Sequence, residues 1–269
     1  MHFTFDVELY APLRQDRKFL HAQGRTWEKI LDALERHHIR VTLFTTGEFV
    51  TIYPALFQRM VAAGHEIASH TMTHRPYFSI GDEEFEQEIA TSRTFLEQSA
   101  GRRVRGFRAP LGQIPPNVSG LLHRHGYTYD SSIAATHIPG HFQGLFTPRR
   151  MYRPALDNVR REDGRSPFWE IPIAVTQGLP IPYGGFFLSG VGPLVWKLPR
   201  LRRQPHVMFL HPHDFMDMRV FSGCYPWDRF KLTRNNWRLL DYFCRHRQGC
   251  DTTLESLMPG DAATPGGGE

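Results

Sequence analysis

The sequence predicts an α/β fold in which parallel strands alternate with helices packed outside them. Short segments rich in apolar or β-branched residues recur through the first half of the chain, and most are followed by a longer stretch with helical spacing. Such alternation is typical of parallel sheets, because neighbouring parallel strands need a crossover connection that is usually a helix. The 269 residues are 41% hydrophobic and 22% charged, which excludes a wholly disordered chain.

Five strands and four helices are predicted in the first half. The strands lie at residues 3–6, 41–45 and 65–69, at a segment ending near Arg108, and at 127–130. The helices lie at 26–38, with Thr26 as a candidate N-cap, and at 53–63, 82–98 and 116–125.

The second half is less regular. Residues 134–167 are rich in Gly, Pro and Arg and lack a periodic segment, so we expect irregular structure over one end of the sheet. Strands are predicted at 168–173 and 207–210, and an amphipathic helix at 235–247. We expect one domain over residues 1–258 and a disordered, glycine-rich tail over 259–269.

Composition limits the cellular compartments and the classes of partner that we expect for the protein. The formal net charge is +5, but the basic residues form short scattered clusters without a nucleic-acid-reading motif, so we expect no nucleic-acid partner. Cys224, Cys244 and Cys250 form neither a zinc-knuckle pair nor an even disulfide framework, which favours a reducing compartment. No signal peptide is evident, and we therefore expect a cytoplasmic protein.

Residues 183–196 form an almost uncharged segment followed by Lys197 and several arginines. The segment is shorter than the about 20 apolar residues that span a bilayer. We favour a loop and helix that cover one end of the strands. The alternative is contact with a membrane surface through residues 183–203, since apolar residues flanked by cations suit such a surface. That contact would place the protein peripherally at the inner membrane.

Two histidines with metal-ligand spacing, His70 and His74, follow a predicted strand. In a chain with 15 histidines such a pair is more often structural or exposed. A catalytic zinc ion needs about three protein ligands and an open position for water. Asp6 and Glu8 are the candidate carboxylates, because residues two apart on a strand share a face. The alternative is that both are solvated acids at a strand end.

The candidate residues come from distant parts of the chain. In a barrel of parallel strands, catalytic groups gather from the carboxyl ends of several strands. Asp6, His70, Arg108, Asp130 and His211 all lie at such predicted ends. We therefore expect them to converge on one site.

The ordered motifs resemble the polysaccharide deacetylases of carbohydrate esterase family four, also known as the chitooligosaccharide deacetylase homology domain, over about residues 3–215. The corresponding segments are Thr4-Phe5-Asp6-Val7-Glu8, His70-Thr71-Met72-Thr73-His74, Arg108-Ala109-Pro110-Leu111-Gly112, Tyr129-Asp130-Ser131-Ser132 and Phe209-Leu210-His211-Pro212-His213-Asp214. Each motif is weak alone, and the family order of all five makes the resemblance specific.

The opening motif departs from the commonest pattern of that family. Val7 stands where a second adjacent aspartate is usual, and Glu8 follows one residue later. This resembles a branch with an Asp-x-Asp or Asp-x-Glu motif, found among enzymes of surface polysaccharide and glycan assembly. That branch also carries a Gly-Gly-x-Phe-type segment, which Gly184 to Phe187 resembles. The departure leaves open which acid has which function.

The resemblance implies a distorted, incomplete (β/α)7-type barrel with its site at the carboxyl ends of the strands. It also implies a divalent metal, with Zn²⁺ as the first candidate, held by His70, His74 and one carboxylate. We assign Glu8 to the metal and Asp6 to the general base, although these two functions are exchangeable.

The remaining functions are implied in the same way. Arg108 would keep the base ionised and oriented, and His211 would be the general acid that protonates the leaving amine. Asp130 would orient His211 or stabilise its charged form. His213 is either a contact of the site or a surface residue, and Asp214 is a candidate cap of the next turn.

The expected reaction is hydrolysis of an N-acyl group, with the acetyl of an N-acetylhexosamine as the first candidate. A cytoplasmic location favours an amino-sugar, nucleotide-sugar or lipid-linked glycan precursor as substrate. The alternatives are a cyclic amide or allantoin-type amidohydrolase on the same fold and a catalytically silent glycan-binding module. The aromatic residues Tyr77, Phe78, Phe142, Tyr183, Phe186 and Phe187 either stack on sugar rings or cover the barrel end.

Overall fold

A seven-stranded parallel sheet forms the centre of the computed structural model, which describes residues 2–191 and 206–259. Including two strands outside this sheet, the described strands are β1 His2–Val7, β2 Thr42–Thr45, β3 Glu66–Ser69, β4 Gly106–Phe107, β5 Tyr129–Asp130, β6 Pro154–Ala155, β7 Asn158–Glu162, β8 Trp169–Glu170 and β9 Val207–Leu210. The sheet has the order β8-β5-β4-β3-β2-β1-β9, and β6 pairs with β7 in a separate antiparallel hairpin. The predicted α/β class is therefore confirmed.

The two edges of the sheet approach each other, so that the sheet closes into a distorted barrel. Ile173, which follows β8, forms a single parallel bridge with Val207 of β9. The amide of Ala174 donates to the Val207 carbonyl oxygen at 2.9 Å, and that of Phe209 donates to the Tyr183 carbonyl oxygen at 3.1 Å. These isolated bonds join the edges where a regular barrel would have a continuous strand pair.

The described helices are α1 Arg17–Arg36, α2 Gly47–Ile52, α3 Pro54–Ala62, α4 Tyr77–Ala100, α5 Val118–Arg124, α6 Gly185–Val191 and α7 Thr233–His246. Prediction of Thr26 as an N-cap was wrong. Helix α1 starts earlier, because Asp16 caps it by accepting a hydrogen bond from the Phe19 amide at 3.0 Å. Thr26 lies inside the helix and donates its hydroxyl to the Ala22 carbonyl oxygen.

Strand alternation separates two apolar layers. One layer packs the outward residues of the strands, such as Phe5 and Leu43, against Trp27 and Ile30 of α1. The other contains Phe44, Ala68, Tyr129, Ile171, Val207 and Leu254, which fill the interior of the barrel. On β1 the residues between the outward ones are Thr4 and Asp6, so the interior face carries the polar groups toward the carboxyl end.

Several boundaries differ from the expected ones. Residues 134–167 contain the β6–β7 hairpin, and the helix expected at 53–63 is preceded by the separate helix α2. Helix α4 extends back to Tyr77 across a break at Gly81, whose φ is 75°. The apolar segment expected at 183–196 is described only to residue 191, and the tail at 260–269 lies outside the described residues. No helix among the described residues is long and apolar enough to cross a membrane.

His65 is a buried titratable group away from the strand ends that carry the predicted site. Its Nδ1 accepts a hydrogen bond from the Val41 amide at 3.3 Å. Burial, together with Arg102, Arg40 and Arg59 nearby, lowers the pKa of His65 to about 4. The unfolded chain binds the proton near pH 6.5 and the folded chain only near pH 4, so His65 destabilises the fold as pH falls between these values.

We predict that His65→Asn reduces the acid sensitivity of the fold. The wild type should lose roughly 2 kcal/mol more free energy of unfolding than the variant between pH 7 and pH 5. Urea unfolding at the two pH values measures this difference. The exposed His123 offers a matched control as His123→Asn, and equal pH dependence of His65→Asn and wild type would contradict the prediction.

Candidate active site

The predicted site residues gather at the carboxyl end of the sheet. Asp6 lies on β1, and Glu8, His70, Arg108 and His211 follow β1, β3, β4 and β9. Because these strands are parallel, their ends open on the same side, around a cavity of about 630 Å³ that all five residues line. Residues up to 205 positions apart in the chain thus share one site.

Glu8, His70 and His74 form the cluster that could hold a metal ion, with one ligand atom of each within 4.8 Å of the others. His70 Nε2 lies 3.3 Å from Glu8 Oε2, and His74 Nε2 contacts the same oxygen. Glu8 and His70 are buried, and His74 is 16% exposed at its side chain. This is the set that we predicted as metal ligands.

The donor atoms of the cluster fit a divalent cation. His70 Nδ1 lies 2.7 Å from the Arg108 carbonyl oxygen, which can only accept, so Nδ1 carries the proton and Nε2 presents a lone pair toward Glu8. Burial raises the pKa of Glu8, but the charge of His74 and the close contacts of both histidine rings with the carboxylate reverse this and hold it well below its usual range. Two imidazoles and an ionised carboxylate are common zinc ligands.

The loop that carries the two histidines is held by Glu88 of α4. Glu88 Oε2 accepts hydrogen bonds from the amides of Met72 and Thr73 at 2.7 and 2.9 Å, and its Oε1 accepts from the Thr73 hydroxyl at 2.6 Å. Thr71 and His74 have φ values of 66° and 59°, in the left-handed region that non-glycine residues rarely adopt. Glu88 therefore stabilises a strained loop whose shape brings His74 back toward Glu8.

Asp6 and Arg108 form a buried ion pair beside this cluster. Arg108 Nη1 donates to Asp6 Oδ1 at 2.7 Å and to the Thr4 hydroxyl at 2.8 Å, and Nε donates to the Ser131 carbonyl oxygen at 2.9 Å. The guanidinium lies over the Phe44 ring at 3.9 Å. Arg108 thus fixes the orientation of one carboxylate oxygen and leaves Oδ2 of Asp6 facing His211.

His211 points its two ring nitrogens at different acids. Nε2 lies 3.6 Å from Asp6 Oδ2 and 4.0 Å from Glu8 Oε1, while Nδ1 lies 3.2 Å from Asp214 Oδ2. Burial lowers the pKa of His211, but the hydrogen bond and charge of Asp214 outweigh it, with Glu8 and Asp6, and raise it to about 9. The ring therefore favours its protonated form and directs Nε2 toward the cavity.

Asp130 does not contact His211, contrary to the function that we expected for it. Its Oδ1 accepts a hydrogen bond from the Ser132 hydroxyl at 2.5 Å, and Asp130 lies opposite Glu170 of the neighbouring strand β8. Burial raises the pKa of Asp130 to about 6 and that of Glu170 well above its usual range. Asp214 is the acid at His211, because the turn after β9 folds its side chain back onto the ring.

Asp214 has the capping function that we considered, and it also contacts the His211 ring. Its carboxylate accepts from the His211 amide at 2.8 Å, as expected for a cap. The same oxygen faces the His211 ring, which the sequence did not reveal. His213 is buried, not a surface residue, and its ring stacks on that of His211 with centroids 4.7 Å apart.

Aromatic side chains form much of the cavity wall. Of the candidates from the sequence, Phe142, Phe186 and Phe187 line it, whereas Tyr183 is buried and stacks on Phe187 with centroids 5.4 Å apart. Tyr77 and Phe78 are not among the described residues that line the cavity. Tyr225 and Trp227 also line it and stack on each other at 4.8 Å, 42% and 56% exposed. No pattern in the sequence distinguished this pair from other exposed aromatic residues.

The first half of the chain is similar to a known protein family. Residues 3–129 match the family described as polysaccharide deacetylase. This match covers a little under half of the chain. The matched region contains Asp6, the three residues of the metal cluster and Arg108, but not His211.

Individual relatives extend the comparison. The chain is 35% identical to a chitooligosaccharide deacetylase of Sinorhizobium fredii over 49% of the chain and 56% of that protein. It is 31% identical to a chitooligosaccharide deacetylase of Bradyrhizobium over 48% of the chain and 54% of that protein. The chain thus spans about half the length of these curated relatives.

A solved structure from Mycobacterium smegmatis, which carries the name of a polysaccharide deacetylase, shares the fold. Its TM-score is 0.62 at 19% sequence identity, and the similarity covers 94% of this chain and 84% of that one. At this identity the similarity concerns the fold alone. It confirms the distorted barrel predicted from the family resemblance.

Sequence reasoning missed Glu88 and Glu170. Glu88 lies in a helix that contains several other acids, and nothing in the pattern distinguishes it from Glu84, which is exposed and pairs with Arg75. Glu170 lies in a predicted strand among apolar residues, at Trp169-Glu170-Ile171. A charged residue inside an apolar strand is a signal for a buried, partnered acid, and that signal was present.

We predict that Glu88→Gln weakens metal binding without removing a ligand. The amide can replace only part of the carboxylate's three hydrogen bonds, so the loop at 70–74 should hold its histidines less firmly. Zinc affinity, measured by competition with a chromogenic chelator, should fall about 10-fold to 100-fold. Glu84→Gln is the matched control on the same helix, and an unchanged affinity of Glu88→Gln would refute the loop-anchoring argument.

We also predict different metal contents for the two acids of β1. Glu8→Gln and His74→Ala should lose bound zinc, whereas Asp6→Asn should retain it, because Asp6 is bound to Arg108 and lies outside the metal cluster. Metal analysis after dialysis measures this, and His141→Ala, at an exposed histidine of the cavity wall, is the control. Loss of zinc from Asp6→Asn with retention in Glu8→Gln would exchange the two assignments.

Proposed function

We propose that this protein is a metal-dependent hydrolase that removes an N-acyl group, with acetyl as the first candidate, from an amino sugar or a glycan precursor. The observation that carries the proposal is the arrangement of three groups at one cavity. A metal-ligand cluster, a carboxylate paired with arginine and a histidine paired with aspartate line the same cavity, and His211 Nε2 lies 3.6 Å from Asp6 Oδ2 and 4.0 Å from Glu8 Oε1. The family match over residues 3–129 and the names of the curated relatives support the same reaction class.

Glu8, His70 and His74 would hold the metal, for which we propose zinc. A divalent ion there would supply positive charge that polarises an amide carbonyl and lowers the pKa of a water molecule. The protein's own contribution is the fixed tautomer of His70 and the buried position of Glu8, which keep all three ligand atoms directed at one point.

Asp6 is placed to accept the proton of the attacking water. Its Oδ1 is occupied by Arg108, so Oδ2 is the atom available as general base. As the water oxygen adds to the carbonyl carbon, its proton passes to this carboxylate. Arg108 keeps the carboxylate oriented throughout, because its other hydrogen bonds to Thr4 and Ser131 fix the guanidinium.

His211 is placed to supply the second proton. When the carbon–nitrogen bond breaks, its electron pair goes to the amide nitrogen, which takes a proton from His211 Nε2 and leaves as an amine. Asp214 stabilises the protonated ring until that step and orients it afterwards. The products are a carboxylic acid and a free amino sugar, so atoms and charge balance.

The cavity wall fits a sugar substrate. Phe186, Tyr225 and Trp227 are all more than one third exposed and line the cavity, where flat apolar rings suit the apolar faces of pyranose rings. The five site residues give a reason to prefer an enzyme over a silent glycan-binding module, because binding alone requires neither the ion pair nor the oriented histidine. The carrier of the sugar and the cytoplasmic location stay predictions.

The experiment that tests this function is acetate release by zinc-loaded protein from a panel of N-acetylated oligosaccharides, free amino sugars, nucleotide sugars and lipid-linked sugars. Asp6→Asn and His211→Gln should each lower kcat by about 100-fold to 10,000-fold, because each removes one proton-transfer group. Asp217→Asn, at an exposed acid of the same C-terminal region, is the control. Acetate release that persists unchanged in both variants would refute the mechanism, and no release from any member of the panel would refute the substrate class.

A further inference from the structure

A second buried cation, Lys231, lies behind His211 and is not explained by the steps above. Its side chain is 6% exposed. Its Nζ contacts Asp214 Oδ1 on one side and lies 2.7 Å from Asp228 Oδ1 on the other. A lysine is almost never buried to this extent unless it is paired, and here it is paired twice.

Lys231 engages the oxygen of Asp214 that His211 leaves free. Asp214 Oδ2 accepts a hydrogen bond from the His211 amide and faces the His211 ring, while Oδ1 accepts a hydrogen bond from the Lys231 ammonium group. The Asp214 carbonyl oxygen accepts from Asn236 Nδ2 at 2.9 Å. A Cβ at Gly185 would lie 1.9 Å from Asp214 Oδ2, so the carboxylate is also enclosed on the side of α6. The orientation of this fully buried carboxylate is therefore fixed by contacts with both of its oxygen atoms.

Lys231 is itself fixed from behind. Asp228 Oδ2 accepts the Tyr10 hydroxyl proton at 2.6 Å, and the Tyr10 oxygen accepts from the Tyr225 amide at 2.8 Å. The ammonium thus lies between two aspartates that neutralise it. Although Lys231 borders the cavity, its contacts make it a poor binding group for an anionic substrate.

We propose that Lys231 is a positioning residue for the general acid: it holds the Asp214 carboxylate in the orientation that directs His211 Nε2 into the site. The proposal rests on the proposed function for its catalytic consequence, but the orientation of His211 can be measured without substrate. Without Lys231, Asp214 Oδ1 loses its partner and the carboxylate can rotate away from the His211 ring. Proton donation to the leaving group should then become less efficient.

The choice of leaving group separates this function from a structural one. An amide nitrogen must be protonated before it leaves, whereas 4-nitrophenolate leaves from 4-nitrophenyl acetate without a proton. Lys231→Met should therefore lower kcat for an N-acetylglucosamine oligomer by about 30-fold, with KM changed less than about twofold. Its kcat for 4-nitrophenyl acetate should change less than about threefold, since that reaction needs no general acid.

The control and a second variant address folding. Arg219→Met removes an exposed cation that pairs with Asp217 in the same C-terminal region, and it should alter neither reaction. Lys231→Met leaves two buried acids without their cation, which can destabilise the fold. The double variant Lys231→Met/Asp228→Asn removes one positive and one negative charge, keeps the net charge, and should show the same selective loss on the amide.

A spectroscopic measurement tests the orientation directly. In protein labelled with ¹⁵N at histidine, the Nδ1–H signal of His211, identified by its absence in His211→Gln, should be present in the wild type and in Arg219→Met. It should shift or disappear in the double variant. An unchanged signal, equal losses on amide and ester, or a raised KM at unchanged kcat would each overturn the positioning function. If the wild type cleaved neither substrate, the proposed function would fail, and the His211 signal would still decide the question of Lys231.

Discussion

The burial of one guanidinium, that of Arg108, is the constraint on which the rest of the site depends. Its side chain is 3% exposed, at a barrel end that also contains the buried acids Asp6, Asp130 and Glu170. Buried carboxylates without a compensating charge take up protons. Of these three acids, Arg108 forms an ion pair only with Asp6, whereas burial raises the pKa of both Asp130 and Glu170, which lie opposite each other on β5 and β8. The single cation thereby fixes the orientation of Asp6 and leaves the other two acids without an ion pair among the described residues.

A second buried cation is paired with an acid on the other side of the metal cluster. There the buried cation is Lys231 and the acid is Asp214, which orients a histidine instead of acting on water. Buried ion pairs gain little net stability, because desolvation of both partners offsets their attraction. These ion pairs instead orient side chains. The Arg108 pair fixes the orientation of Asp6, and the Lys231 pair fixes that of His211 through Asp214. In the proposed reaction each of the two proton-transfer groups is thus oriented by a buried ion pair.

Sequence patterns could predict the strands and the residues at their ends, but not the contacts that turns and helices provide. The alternation on β1 places Asp6 and Glu8 on one face, and parallel strands bring His70, Arg108 and His211 to the same end. The family resemblance implied that Asp130 orients His211, but the structure places Asp130 opposite Glu170 of the neighbouring strand. Asp214 reaches the ring through a local turn, whose side-chain direction strand periodicity does not determine. Glu88 depends on how α4 packs against a loop, which no local pattern encodes.

The division of the site between two parts of the chain limits what similarity can transfer. The family match ends at residue 129, after the metal cluster, Asp6 and Arg108. His211, Asp214, Lys231 and the Tyr225–Trp227 pair all lie beyond it, and they form the wall and the acid on the leaving-group side. Proteins that share only the matched region with this chain can therefore share its metal cluster and its Asp6–Arg108 pair and still differ in the residues on the His211 side of the cavity.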